Sequence, residues 1–404
     1  MRVTFNNYEK LLSNLLDISL VAEDSMSSDD VKNIIFKFTR DSIQLIGVSR
    51  LVVFKRTLSP EIYHLEIDEE ELDSNGYAFM QVKSKEIISY LSTYKALKKT
   101  KVESVELSLV NKLTIVCKVA EVAKDDDESF GADTAGKAYL SSYTFNNIAI
   151  KPNMIGQINM KADLSECATL PVLYILFHTR NMLPILKNDT SLFGQLVIGD
   201  DGVVVAHNAS FTTYMGNVLP ECFGGTKISN RALSLIDKLF SADETVQCKK
   251  VDNYIYIHSE DTNSEVFIVY DSKLPNYQMQ RKLFVKDHRL SLDRVYLRDI
   301  LKRLSLTNDS ISVSIKCEDN IVDLKNSKFH QTISILDKAG LEEYSSINFK
   351  ILPESLNKAI IGSDDEFSDE LYIYFCPQPN GDMMLAFADN SDKWFSTVKV
   401  KPTK

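Results

Sequence analysis

One local pattern recurs along this chain: a short stretch with apolar residues at helical spacing, followed by two alternating stretches joined by a turn. It occurs about six times. The first predicted helix, Asn7 to Ser19, sets Leu12, Leu15, Leu16 and Ser19 at i, i+3, i+4 and i+7, ahead of IIFKF and SIQLIGV. The second, Ser84 to Lys99, stacks Ile87, Leu91 and Tyr94 and precedes VELSLVNKLTIVCKV, with a turn at Asn111-Lys112. A third is predicted over Leu164 to Arg180, where Pro171 must kink the helix or start another; Gly199-Asp200-Asp201-Gly202 marks the turn between the strands after it. The fourth, Ser229 to Ser241, aligns Ala232, Leu233, Ile236, Leu239 and Phe240 ahead of YIYIHSEDTNSEVFIVY. Leu297, Ile300, Leu301 and Leu304 form the fifth stripe, ahead of SISVSIKCEDNIVDL. The sixth runs from Pro353 through Leu356, Ala359 and Ile360 into ELYIYFCPQPNGDMMLAFA.

Helices on one face of mainly antiparallel sheet make an α+β fold. At roughly 150 residues per domain, 404 residues hold two or three domains, and two repeat units per domain make it three. The predicted domains are 1–152, 153–280 and 281–404, with joins near Lys151 to Gly156 and near Gln278 to Lys282, where no periodic segment runs. An apolar content of 44% supplies the cores they need. Lys124 to Lys137, KDDDESFGADTAGK, reads as a solvated surface loop.

Enzyme chemistry finds little support. There is no nucleophile elbow, Walker loop, H-E-x-x-H or G-x-G-x-x-G, and the six histidines are scattered. Asp125, Asp126, Asp127 and Glu128 lack the spaced ligands and turn glycine of a calcium loop. No catalytic residue, cofactor or metal is expected. Six widely separated cysteines with no C-x-x-C pair suit a reduced compartment. The N-terminus lacks the unbroken apolar core of an export signal, and the run Leu170 to Phe177 is far short of the ~20 residues that span a bilayer. A cytoplasmic location without membrane contact follows.

The net charge of −10 argues against a uniformly basic, nucleic-acid-coating surface. Its distribution changes that reading. Counting the second predicted helix through Lys101, the fifth over Leu290 to Leu306 and the sixth over Pro353 to Gly362, the six predicted helices together carry +6, and everything else carries −16. Lys95, Lys98 and Lys99 share one helical face; Arg294, Arg298 and Lys302, at i, i+4 and i+8, share another, beside the apolar stripe. Basic helices on an acidic sheet layer suit contact with phosphates rather than base edges.

At these residues the sequence resembles the DNA sliding clamp family, the three-domain β clamp of bacterial polymerases, as a divergent, phage-type member. The most specific segment is YDSKLPNYQMQRK, Tyr270 to Lys282, which is similar to the family's strand and connector after the second domain. GVVVAHNASFTTYMG, NMLPILKN and the terminal ADNSDKWFSTVKVK follow in matching order. The resemblance implies a ring-forming homodimer with helices inside and antiparallel sheet outside. Such a ring encircles double-stranded DNA without sequence preference, tethers the DNA polymerase as a processivity factor, and is loaded by a clamp loader ATPase. The tether works by raising effective concentration.

The resemblance also implies an apolar pocket for partner peptides between the second and third domains. By position its residues are His207, Ala209, Ser210, Phe211, Thr212, Pro275, Met279, Ser396, Thr397 and Val398. Phe211 stands where the family commonly has a basic residue, and Ala209-Ser210 replaces a Gly-His pair; a plain core role for Phe211 and Val398 stays open. The DNA-facing set is Lys95, Lys98, Lys99, Arg180, Lys187, Arg231, Lys238, Arg294, Arg298, Lys302 and Arg303. Two other readings remain: a clamp-fold tether serving transcription or recombination, and a multidomain scaffold or virion protein whose repeats are coincidental.

Overall fold

The structure, a computed structural model, describes the chain except residues 23–31, 96–99, 110–112, 122–137, 147, 173–174, 176–194, 201–203, 208–210, 216–220, 242–243, 274–287, 308, 343, 345, 361–368, 378–380, 389–393 and 404. It is an α+β fold of antiparallel sheets with short helices on them. The helices with described bounds are α1 (Tyr8–Ala22), α2 (Ser84–Lys95), α3 (Pro152–Ile158), α4 (Asn230–Leu239), α5 (Arg294–Leu304) and α6 (Pro353–Ile360). Four of the six predicted helices lie within two residues of these at their start, and the fifth begins at Arg294 because Arg289–Asp293 is a strand.

The third prediction fails over Leu164 to Pro171 and holds where described after it, Val172 and Ile175 being helical. Ala168–Pro171 is a strand paired with Thr245–Val251, and Pro171 ends it at an edge, where a missing N–H costs no ladder bond. The rest of that prediction, 173–174 and 176–180, lies outside the described residues. A helix does form at Pro152–Ile158, inside a predicted join, with Pro152 in the first turn, where its fixed φ suits a helix start.

Two compact units emerge: 1–172 with 235–269, and 173–234 with 270–404. In the first unit, eight antiparallel strands run in the order Ala78–Lys83, Asn33–Phe38, Ile43–Val48, Val52–Thr57, Ser264–Asp271, Tyr254–Ser259, Thr245–Val251, Ala168–Pro171. A five-stranded sheet ends on Ala138–Phe145. α1 buries Leu11, Leu12, Leu15, Ile18 and Val21, each contributing roughly 1.5–3 kcal/mol, and packs on the Asn33–Thr57 strands and on α2. The fit is close: a Cβ on Gly47 would stand 2.7 Å from the Ile18 carbonyl oxygen, so only glycine admits the helix.

In the second unit, Thr226–Ser229, Gln195–Ile198, Val204–His207, Phe211–Met215, Trp394–Pro402, Met383–Ala388, Glu370–Pro377 and Arg289–Asp293 form one antiparallel series. A further series runs Ser346–Ile351, Ile311–Lys316, Ile321–Lys325, His330–Ser334. α5 and α6 pack together and bury Leu297 and Leu356 against Leu292, Val313, Phe349 and Phe387. The Asp293 side chain caps α5 by accepting from the Tyr296 N–H at 2.8 Å.

Candidate functional site

Each unit is built around one strand junction. In the first, Val52–Thr57, the third strand of a consecutive run, pairs with the last strand of a later run, placing Val52 opposite Ile268 and Val53 opposite Phe267. In the second, Phe211–Met215 is again third of its run and pairs with the last strand of the chain, placing Phe211 opposite Val398 and Thr212 opposite Thr397. Thus the residues assigned by resemblance to a peptide pocket are brought together by register: Phe211 and Thr212 face Val398 and Thr397 across one ladder, and His207 lies opposite Thr212 on the next. Ser396, Thr397 and Val398 are buried. Ala209, Ser210, Pro275 and Met279 lie outside the described residues.

The basic residues divide by helical angle. With 3.6 residues per turn each step is about 100°, so Arg294 lies only about 20° from Leu301, inside the apolar face; Arg298 is about 40° further round and Lys302 about 80°. Burial follows this order. Arg294 is 2% exposed, its guanidinium 3.9 Å from the Asp369 carboxylate and its N–H donating to the Asp369 carbonyl, so its assignment to a DNA-facing surface is corrected. Arg298 is half-buried, and Lys302 and Arg303 are exposed. Lys302 stands 3.5 Å from Asp299, and Arg303 Nε donates to the Asp299 carbonyl at 3.2 Å.

Lys95, the last residue of α2, is exposed, as is Lys238 on α4, while Arg231 is half-buried. Lys98, Lys99, Arg180 and Lys187 lie outside the described residues, as do Asp125, Asp126, Asp127 and Glu128. Lys101 belongs to the strand Thr100–Leu109, not to α2. The described helices still hold ten lysines and arginines against six acidic residues, so the basic excess survives in smaller form.

Three buried cations were missed by the sequence reading. Arg56 donates from Nη1 to Asn14 and Asp17 on α1 and from Nε to Ser264 across the first junction. Lys37 and Lys55 point to the opposite face of the same sheet. Lys37 Nζ donates to Asn159 at 3.0 Å and sits 3.7 Å from the Tyr77 ring centre, and Lys55 Nζ donates to the Met160 carbonyl. Burial pushes the Lys55 ammonium down to about 8, with nearby Glu265 opposing the shift. The signal was present: lysine amid NIIFKF and VVFKRT shares a face with Ile35 and Val53, which alternation alone would have assigned to solvent.

None of the six cysteines forms a disulfide, no described helix is long and apolar enough to cross a membrane, and no metal-ligand cluster occurs among the described residues.

No family model and no curated protein matches the sequence. Solved structures do, over the full length. The DNA polymerase sliding clamp of Bacillus subtilis superposes with a TM-score of 0.69 at 12% identity, covering 100% of this chain and 99% of that one. The Helicobacter pylori β clamp bound to a DNA ligase peptide gives 0.64 at 13%, covering 100% of each. The Pseudomonas aeruginosa sliding clamp gives 0.65 at 13%, covering 100% of this chain and 99% of that one. From end to end this chain has the fold of the DNA sliding clamps.

Proposed function

We propose that the protein is a DNA sliding clamp: a non-catalytic, cytoplasmic processivity factor of three domains (1–152, 153–280, 281–404) whose head-to-tail homodimer encircles duplex DNA and tethers a DNA polymerase. One observation carries this reading. Two junctions join the third strand of one run to the last strand of another, and the same rule leaves one pair over. His330–Ser334 is the third strand of its run and Ala138–Phe145 the last of its own, and among the described residues each has a single strand neighbour. An unpaired edge is a template for another chain.

Both edges carry apolar surface. Leu140 is 72% exposed and flanked by the exposed Tyr139 and Tyr143. Leu306, 80% exposed, sits in the turn after α5 beside Thr307, whose hydroxyl accepts from Asn326 just ahead of the other edge. Pairing the tail edge of one copy with the head edge of a second, twice over, closes a ring. The exposed basic residues Lys95, Lys238, Lys302 and Arg303, with Lys98, Lys99, Arg180, Arg231, Lys187 and Arg298, are the proposed phosphate contacts. The second junction is the proposed pocket for polymerase and clamp loader peptides.

Solution mass measured by light scattering tests the assembly: twice the chain mass is expected, and L140D or L306D should halve it. A wild-type monomer would remove the ring. Loaded by its ATPase, the dimer should stay on closed circular DNA and run off a linear duplex; equal retention on both argues against encirclement.

A further inference from the structure

The connector between the strands Ala138–Phe145 and Ala168–Pro171 does more than span a gap. Residues 148–163 lie across the face of the eight-stranded sheet opposite α1. The Ile148 N–H donates to the Gln81 carbonyl at 3.0 Å, tying the segment to the edge strand Ala78–Lys83. Met154 and Ile158, one helical turn apart on α3, are buried among Ile35, Ile46, Val48, Val53, Tyr256 and Phe267. Those six residues come from strands on both sides of the first junction, so the two anchors sit over the seam itself. Beyond the helix, Lys37 holds the Asn159 side chain and Lys55 the Met160 carbonyl. Lys249 Nζ lies 2.9 Å from the Asp163 carboxylate at the far end.

The two junctions share one construction, so their positions correspond. Val53 opposite Phe267 in the first matches Thr212 opposite Thr397 in the second. In the first junction that face is covered by a segment with two apolar anchors at i and i+4 and a C-terminal stretch held by lysines. We propose that residues 148–163 are an internal occupant: the first junction is a peptide-docking groove, filled by the chain's own connector, and the second is the groove left for clients. The assignment of clients to the second junction rests on the clamp reading; the occupied groove rests on the contacts above. The groove's chemistry selects a short helical segment with two aliphatic anchors one turn apart, followed by an amide and a carbonyl for Lys37 and Lys55.

The test uses the full chain and a fluorescein-labelled synthetic peptide of residues 148–163. It is titrated by fluorescence anisotropy against wild type, against M154D/I158D, and against M154D/I158D/V398D, in which the second junction is blocked. The proposal expects no binding to wild type and saturable binding to both variants, weakened about tenfold when K37M removes the donor to Asn159. Binding lost with V398D would move the peptide to the second junction and overturn the proposal. So would a folded M154D/I158D chain that does not bind. An M154D/I158D chain that fails to fold counts against it equally, because an occupant leaves a folded groove behind. Hydrogen exchange on wild type gives a second decision: amides 154–160 should open well before those of Val52–Thr57, and exchange only with global unfolding would make the segment plain core. None of these readouts involves DNA or a client, so failure of the clamp reading and failure of the occupied groove are told apart.

Discussion

Arg56 Nη1 stands 2.5 Å from the Asp17 carboxylate, linking one end of the first strand junction to α1. The same guanidinium reaches Asn14 at 3.1 Å and Ser264 at 2.9 Å. Since Ser264 lies on the partner strand, one side chain ties a helix and both strands of the seam.

Arg56 is largely buried whereas Asp17 is a third exposed, so their loss is unequal. R56M should destabilise the chain by about 2 kcal/mol, because it leaves Asp17 without its cation and Ser264 with only its bond to the Thr262 carbonyl, and D17N by about 1 kcal/mol, because Asn14 and Ser264 still serve the guanidinium. Urea unfolding of the double mutant should recover about 1 kcal/mol of coupling; additive losses would mean that the two groups do not interact in solution.

Lys55 predicts a pH effect of definite sign. Its folded value, about 8, lies below the ordinary 10.5, so the folded chain resists the proton that the unfolded chain accepts. The penalty is fully present below pH 8, fades between pH 8 and 10.5, and is absent above. The unfolding free energy of wild type should therefore rise relative to that of K55M across this window, by on the order of 3 kcal/mol. A constant difference between the two proteins would show that Lys55 titrates normally.

α5 separates structure from electrostatics within one helix. K302E/R303E should leave the urea midpoint within about 0.5 kcal/mol of wild type, since both residues are exposed, and should shorten retention on primed circular DNA with a flatter salt dependence. R294M should do the reverse, costing about 2–4 kcal/mol of stability by removing a buried cation beside Asp369. Equal retention for K302E/R303E would take this helix off the DNA-facing surface.

Much of this fold was legible in the sequence because two periodicities alternate so regularly. The stripe Leu297, Ile300, Leu301, Leu304 and the alternation in YIYIHS each point to one element, and the structure places α5 and the strand Tyr254–Ser259 there. What failed had physical causes. Leu164 to Pro171 mixes apolar residues without a clean period, and the pairing with Thr245–Val251, distant in sequence, decided for strand. Arg294 was assigned to the polar face because i, i+4, i+8 spacing looks like one line, yet about 80° of drift over eight residues carries its start into the core. Lys37 and Lys55 were invisible as buried groups because the cover over them comes from residues 148–163, more than ninety positions away.

The two strands with a single neighbour each among the described residues, Ala138–Phe145 and His330–Ser334, differ in sequence, in length and in neighbours. In the proposed ring, chains joined tail to head all point the same way around the closure, which gives that assembly a front that is not the mirror of its back. In that proposed ring, a client peptide seated at the second junction of either copy would leave from the same side. Because the two strands of a duplex run in opposite senses, a ring with a front and a back can be threaded in two distinguishable ways. An enzyme held on one side of the proposed ring would face either the growing end of a primer or the duplex behind it, so the asymmetry of a single chain's edges would decide which.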